Sequence, residues 1–311
     1  MLLCRGPGKL SDSARAAGVD VVYLPHWFSG HASPPRADLW HAHDGKGVYW
    51  AALEGRCRGT PYVITRRVDN PLSSNRFTRA SYRGAASVAC LSRAISAQVE
   101  KLDPQITRTV IPSTFSSFAT EPDAVSAIKH AYPGKFLVGQ VGRLVPHKGY
   151  TSTIAAAQIL AERIPEIHFL LLGDGPQRAE LEAASAHLPN VSLLGHVDKV
   201  GPYFAAFDLF LFPSLSEGLG SSILEAMQAQ TPVLAARAGG IPDIVIHAET
   251  GWLVEPGDAE GLAEALEYLY RHPDVRDRLQ EGATERLSMF SPAAVAERYY
   301  DLYASILARP K

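Results

Sequence analysis

Short apolar runs alternate along the chain with longer stretches of helical period. After residue 133 the runs fall at 136–141, 168–172, 191–194, 209–212, 232–235 and 251–254. Runs this short, spaced widely enough for a helix between each pair, are the pattern of a parallel sheet whose two faces are covered by crossover helices. Helices are expected at 151–163, 177–187, 221–229 and 261–270, completing a doubly wound nucleotide-binding domain. Before residue 133 the signals are thinner. Strands are expected at 19–24, 39–43, 62–65, 87–90 and 108–111, again with helices between them, which gives a second Rossmann-like α/β domain. Ala131-Tyr132-Pro133-Gly134-Lys135 strings turn formers together and is the expected linker. The expected division is therefore 1–133 and 134–291. A last helix at about 293–307 starts from the N-cap Ser291 and Pro292, and the segment 292–311 is expected to pack back on the first domain.

With 311 residues, 46% of them hydrophobic, two domains can each bury a core, and a disordered chain is excluded. Cys4, Cys57 and Cys90 lie far apart, odd in number and without a CxxC pair, which suits a reducing compartment. Met1-Leu2-Leu3-Cys4-Arg5-Gly6 lacks the pattern of a secretory leader, and no run approaches the roughly 18 apolar residues of a membrane span. The net charge of −2 hides a division. Through Pro133 there are 16 Lys and Arg against 10 Asp and Glu; beyond it there are 14 against 22. Arg66, Arg67, Arg76, Arg79, Arg83 and Arg93 are interrupted by one acid, Asp69. Such a face suits a phosphate-bearing ligand or an anionic membrane surface, or else is a solvated basic face, and nucleic acid is not expected as a partner.

The richest chemistry lies between Phe212 and Met227. A buried strand ends at Pro213, a loop follows, and a helix opens near Gly220, so that unpaired backbone N–H groups meet the carboxyl edge of the sheet. Gly218 and Gly220 let a diphosphate approach the main chain, while Glu217 and Glu225 can accept hydrogen bonds from hydroxyls at either end of it. In the first half, Asp38-Leu39-Trp40-His41-Ala42-His43-Asp44 ends a strand with two histidines on one side of the pleat, a weak metal signal without a third ligand. Arg66 and Arg67 end another strand at the edge where open α/β sheets bind ligands.

Glu217 and Glu225 resemble the Glu-x7-Glu motif of the retaining glycosyltransferases of family 4. Other blocks fall in that family's order: Val141-Gly142-Arg143-Leu144-Val145-Pro146-His147-Lys148-Gly149, Leu172-Gly173-Asp174-Gly175-Pro176, Leu194-Gly195-His196-Val197, Ala238-Gly239-Gly240-Ile241-Pro242-Asp243 and the stretch 249–258. The resemblance covers 136–305 strongly and 38–115 moderately. It implies the GT-B arrangement, two facing Rossmann-like domains with parallel sheets and an active site in the cleft. Arg143 and Lys148 would hold the donor diphosphate, Glu225 the ribose and Glu217 the transferred sugar. Gly142, Gly173, Val197, Gly218, Leu219 and Gly220 would line the same donor site. His43 would lie beside the reacting sugar with His41 supporting it, and Asp44, Arg66 and Arg67 are acceptor-side candidates. Two cations and a helix N-terminus can stabilise the departing diphosphate, so no metal or other cofactor is expected. The wording of Val63-Ile64-Thr65-Arg66-Arg67-Val68-Asp69 is similar to that of bacterial members acting on lipopolysaccharide or related envelope glycans. This implies a nucleotide-diphosphate sugar as donor, a glycan or lipid-linked acceptor, and a cytoplasmic location at the inner face of the membrane.

The chain departs from the family in two places. His43 comes early, and 11–18 followed by 19–25 resembles the family's second βα unit, so the first unit is expected to be lacking. Ile111-Pro112-Ser113-Thr114-Phe115 stands where a glycine and an aspartate commonly follow the proline. Two other classes stay open: a nucleotide-sugar-binding protein that is inactive or dependent on a partner, and a sugar-nucleotide epimerase of the same fold, against which the glutamate pair argues.

Overall fold

The computed structural model describes residues 1–24, 35–118 and 121–308. Pro25 and residues 309–311, parts of expected elements, lie outside them. The first domain runs β1 (Leu2–Cys4), α1 (Lys9–Ala16), β2 (Val21–Tyr23), β3 (Trp40–Ala42), α2 (Gly45–Arg58), β4 (Tyr62–Arg66), α3 (Arg76–Arg83), β5 (Ser87–Cys90), α4 (Arg93–Leu102) and β6 (Arg108–Val110). The second runs α5 (Pro122–Ala131), β7 (Phe136–Val141), α6 (Tyr150–Arg163), β8 (Ile167–Leu172), α7 (Arg178–Ser185), β9 (Val191–Gly195), α8 (Gly201–Ala206), β10 (Leu209–Phe212), α9 (Ser221–Gln228), β11 (Val233–Ala236), α10 (Ile241–Ile244), β12 (Trp252–Val254), α11 (Ala259–Arg271) and α12 (Pro273–Leu287). A closing helix, α13 (Pro292–Leu307), returns to the first domain. No helix among the described residues is long and apolar enough to cross a membrane.

The second domain is one six-stranded parallel sheet in the order β12-β11-β10-β7-β8-β9. Every residue of β8, β10 and β11 is buried, which is why these strands read as apolar runs, broken only by His168 of β8, which hydrogen-bonds Ser192. The order reverses at β7: the chain winds outward through β8 and β9 on one side, then crosses back to β10 on the other. Loops leaving the carboxyl ends of β7 and β10 therefore part to opposite faces and open a crevice.

The first domain carries the same design with a break in it. Among the described residues its strands form a parallel pair, β1-β2, and a parallel quartet, β3-β4-β5-β6, with no ladder between the two. In the second domain β7 stands between the corresponding pair, β8-β9, and the remaining strands. Among the described residues, no strand of the first domain stands in that central place. β1 and β2 are only half-buried, whereas β4 and β5 are almost wholly inside.

Two differences from the sequence expectations have physical causes. Helix α5, just ahead of the expected 131–135 linker, packs against α8, so the second domain's packing already starts at Pro122. Helix α12 escaped the pattern because its stripe is thin: Val275, Leu279 and Ala283 are its buried positions among fifteen mostly polar residues.

Candidate functional site

The crevice at the β7–β10 switch point gathers most of the expected donor-side residues. Gly142, Arg143 and the 3-10 turn Pro146–Lys148 leave β7, and Glu217, Gly218 and Leu219 leave β10 ahead of α9. The loops are bound to each other through the main chain, with Leu215 N–H donating to His147 O at 2.8 Å. Across that contact Lys148 Nζ lies 2.5 Å from a Glu217 carboxylate oxygen and 5.0 Å from the centre of the Phe212 ring. Both members of the pair are about one-fifth exposed, open to the crevice yet held by its walls. Gly220, in the left-handed region at φ +95°, turns the chain into α9, whose first N–H groups receive no side-chain cap.

The remaining candidates spread around this pair. Arg143 is exposed on the same loop as Lys148 and, among the described residues, makes no side-chain hydrogen bond or ion pair. Gly142 and Gly173 meet backbone to backbone where the loops after β7 and β8 touch. Val197 is half-buried two residues beyond β9, and Leu219 is buried. Glu225, in the second turn of α9, faces a cavity of about 380 Å³ that Phe118, Gly201, Phe204 and Gln228 also line.

Burial raises the Glu225 carboxyl from 4.5 to about 7. The folded chain then holds a proton that the unfolded chain releases near 4.5, so this group's contribution to stability falls as pH rises from 4.5 to 7. Above 7 the full cost is present, on the order of 2 kcal/mol for a half-buried group. Glu225→Gln is therefore expected to raise the melting temperature at pH 8 and leave it nearly unchanged at pH 4.5. Equal shifts at the two pH values in thermal melts would refute this.

The first domain closes on α10 and on the loop carrying Glu217. Arg93, at the start of α4, donates its backbone N–H to Asp243 at 2.5 Å and its Nε–H to the other carboxylate oxygen at 2.6 Å. Ser216 Oγ donates to Asp69 at 2.7 Å. Gly218 is pressed so close to Arg67 O that a Cβ there would lie 2.3 Å away. The sequence singled out neither Arg93–Asp243 nor Ser216–Asp69 as a pair, since partners 150 and 147 residues apart leave no local signal.

Of the acceptor-side candidates, His43 stands exposed at the cleft end of β3. Partial desolvation, then Arg67, lower its pKa, and Asp44 raises it, so it is neutral near pH 7. His41 is turned inward between Tyr303 and Thr65. Asp44 caps α2, accepting from the backbone N–H groups of Lys46 at 2.8 Å and Gly47 at 2.7 Å. Arg66 donates to the carbonyl and side chain of Asn70 within its own loop. Arg67 is exposed beside the histidines.

Residues 123–286 match the family model described as Glycosyl transferases group 1. The lipopolysaccharide core biosynthesis glycosyltransferase LpsE of Rhizobium meliloti (strain 1021) is 36% identical over 173 residues, covering 54% of this chain and 50% of that protein. The 2-deoxystreptamine glucosyltransferase of Streptomyces kanamyceticus is 31% identical over 277 residues, covering 76% and 69%. The chain spans about half the length of several curated relatives that it matches, 52% and 50% for the first two. Among solved structures, Anabaena Alr3699/HepE in complex with UDP superposes with a TM-score of 0.85 at 22% identity, over 97% of this chain and 91% of that one. This likeness shows the shared GT-B type of fold.

Proposed function

Because the chain belongs to the group 1 glycosyl transferases, we propose that it transfers a glycosyl group from a nucleotide-diphosphate sugar, with retention of configuration, to a glycan or lipid-linked acceptor of a bacterial envelope, as a member of family 4. The observation that carries this reading is the Lys148–Glu217 pair, held across the switch-point crevice beside the uncapped N-terminus of α9. The ammonium is placed for a phosphate oxygen and the carboxylate for sugar hydroxyls.

In the reaction the bond from the anomeric carbon to the phosphate oxygen breaks and a bond to the acceptor oxygen forms. The acceptor's proton passes to the departing phosphate, leaving a glycoside and a nucleoside diphosphate. Lys148, Arg143 and the α9 N–H groups stabilise the charge that grows on the diphosphate, so no metal is needed. Glu225 holds the ribose, and His43 faces the transferred sugar. Relatives in lipopolysaccharide and capsular synthesis support the acceptor class, and the solved complex of HepE with UDP-glucose supports the donor class.

The basic face supports a reading in which the protein contacts the anionic inner surface of the membrane peripherally and works in the cytoplasm. Arg76 and Arg79 are exposed on α3, Phe77 between them is 61% exposed, and no acid lies between Asp69 and Glu100. One helix thus presents an aromatic ring and cations together.

Incubation with UDP-, GDP- and ADP-sugars tests the reading, with the released sugar followed by NMR. Slow release of the sugar with the donor's own anomeric configuration, unaffected by EDTA, is the expected result. An isomerised nucleotide sugar would replace transfer by epimerisation. Binding without turnover would favour a second reading, a partner-dependent binding subunit, which the broken first-domain sheet supports.

A further inference from the structure

The closing helix turns one of its tyrosines, Tyr300, outward and the other two inward. Tyr300 is 72% exposed, while Tyr299 and Tyr303, four residues apart on one face of α13, reach the ends of β3 and β4. The Tyr303 hydroxyl lies 2.6 Å from His41 Nδ1. On the other side of the ring, His41 Nε2 lies 2.6 Å from Thr65 Oγ1, which is 3.2 Å from the Tyr299 hydroxyl. The chain of hydrogen bonds thus leaves α13 at one tyrosine, passes through both nitrogens of a single imidazole, and returns to α13 at the other.

A ring held at both nitrogens cannot flip or swing without breaking two bonds, and its neutral form has one donor and one acceptor, enough to satisfy the chain in a single direction. Burial, then His43 and Arg67, push His41 down to about 3, so it stays neutral. The Tyr303 phenol is pushed up to about 12 by burial, then by Tyr299, and is neutral too. The face of the His41 ring is the shelf for His43: the ring centroids are 4.0 Å apart with 36° between the planes.

We propose that Tyr303, Tyr299 and Thr65 are positioning residues for His43: they lock the His41 ring, and the locked ring fixes where the His43 imidazole stands in the cleft. The closing helix, which leaves the donor domain at Ser291, is by this means a structural part of the acceptor wall. The inference rests on the reading that His43 faces the transferred sugar. Groups acting on His43 from neighbouring elements are His41 on β3, Asp44 at the start of α2 and Arg67 beyond β4.

The test compares Tyr303→Phe with Tyr300→Phe, the same change on the solvent side of the helix, in protein labelled with ¹⁵N-histidine. The His43 signals are assigned by their loss in His43→Gln. Tyr303→Phe is expected to shift and broaden the His43 ring resonances and move their titration midpoint. It should lower kcat for donor hydrolysis by about ten- to a hundredfold, with KM for the donor within twofold. Tyr300→Phe should do neither. Thr65→Val breaks the chain at the opposite ring nitrogen and gives an independent reading of the same shifts. Unchanged His43 resonances and titration in both Tyr303→Phe and Thr65→Val overturn the proposal. If those resonances move while His43→Gln itself leaves turnover intact, the positioning stands and the catalytic reading of His43 falls.

Discussion

Lys148→Ala is expected to lower turnover by about a hundred- to a thousandfold with little change in the melting temperature. The ammonium sits on a 3-10 turn whose main chain is tied to the loop carrying Glu217, so it is aimed before any substrate arrives. A preorganised donor facing charge that develops in the transition state contributes about 2.7 to 4 kcal/mol elsewhere. The ground-state diphosphate already carries part of that charge, so donor KM should rise less than kcat falls. The stability side is small, because a pair about one-fifth exposed at each end is partly solvated and such pairs contribute on the order of 1 kcal/mol or less. Steady-state donor hydrolysis beside a thermal melt checks both halves. A kcat loss below about fivefold, or a collapse in melting temperature, would remove Lys148 from the role of phosphate clamp. Lys148→Arg sharpens the comparison, since it keeps the charge but places a planar fork where the crevice holds a compact ammonium.

What the sequence made legible follows from how each feature is encoded. The second domain could be read strand by strand because β8 and β10 are buried on both faces and their composition is almost wholly apolar. The loop ahead of α9 was readable because its pattern is local: Glu217, Gly218, Gly220 and Glu225 fall within nine residues. β1 was harder, since three half-buried residues carry almost no periodic signal. The contacts that join the domains were invisible for another reason. His41 and Tyr303 are 262 residues apart, and pleat alternation says which way a side chain points without saying what it meets. The same limit explains Asp44, whose place beside His43 suggested substrate contact and whose carboxylate is engaged in capping α2.

Gly173→Ala should destabilise the second domain far more than any change of similar size on its surface. Gly173 has φ +138°, a region that side-chain-bearing residues rarely enter, and a Cβ built there would lie 1.8 Å from Gly142 O. The obstacle is backbone, so no rotamer change relieves it; the loops after β7 and β8 must separate. Separation also strains the 2.7 Å hydrogen bond that Gly173 N–H donates to Gly195 O. Strain of about 1 to 3 kcal/mol from the backbone conformation adds to about 1 to 3 kcal/mol from overpacking. A loss near 4 kcal/mol lowers the melting temperature of a domain this size by roughly 10 °C. Gly257→Ala is the control: its φ of +81° gives conformational strain alone, because the nearest atom to its added Cβ is a Leu215 methyl at 3.7 Å. Its expected cost is about 1 kcal/mol. If the two variants melt together, close packing of these loops is not what sets the shape of the crevice. If Gly173→Ala melts well below Gly257→Ala and loses donor hydrolysis even under native conditions, the backbone contact between the loops is what holds Arg143 and Lys148 in register with Glu217.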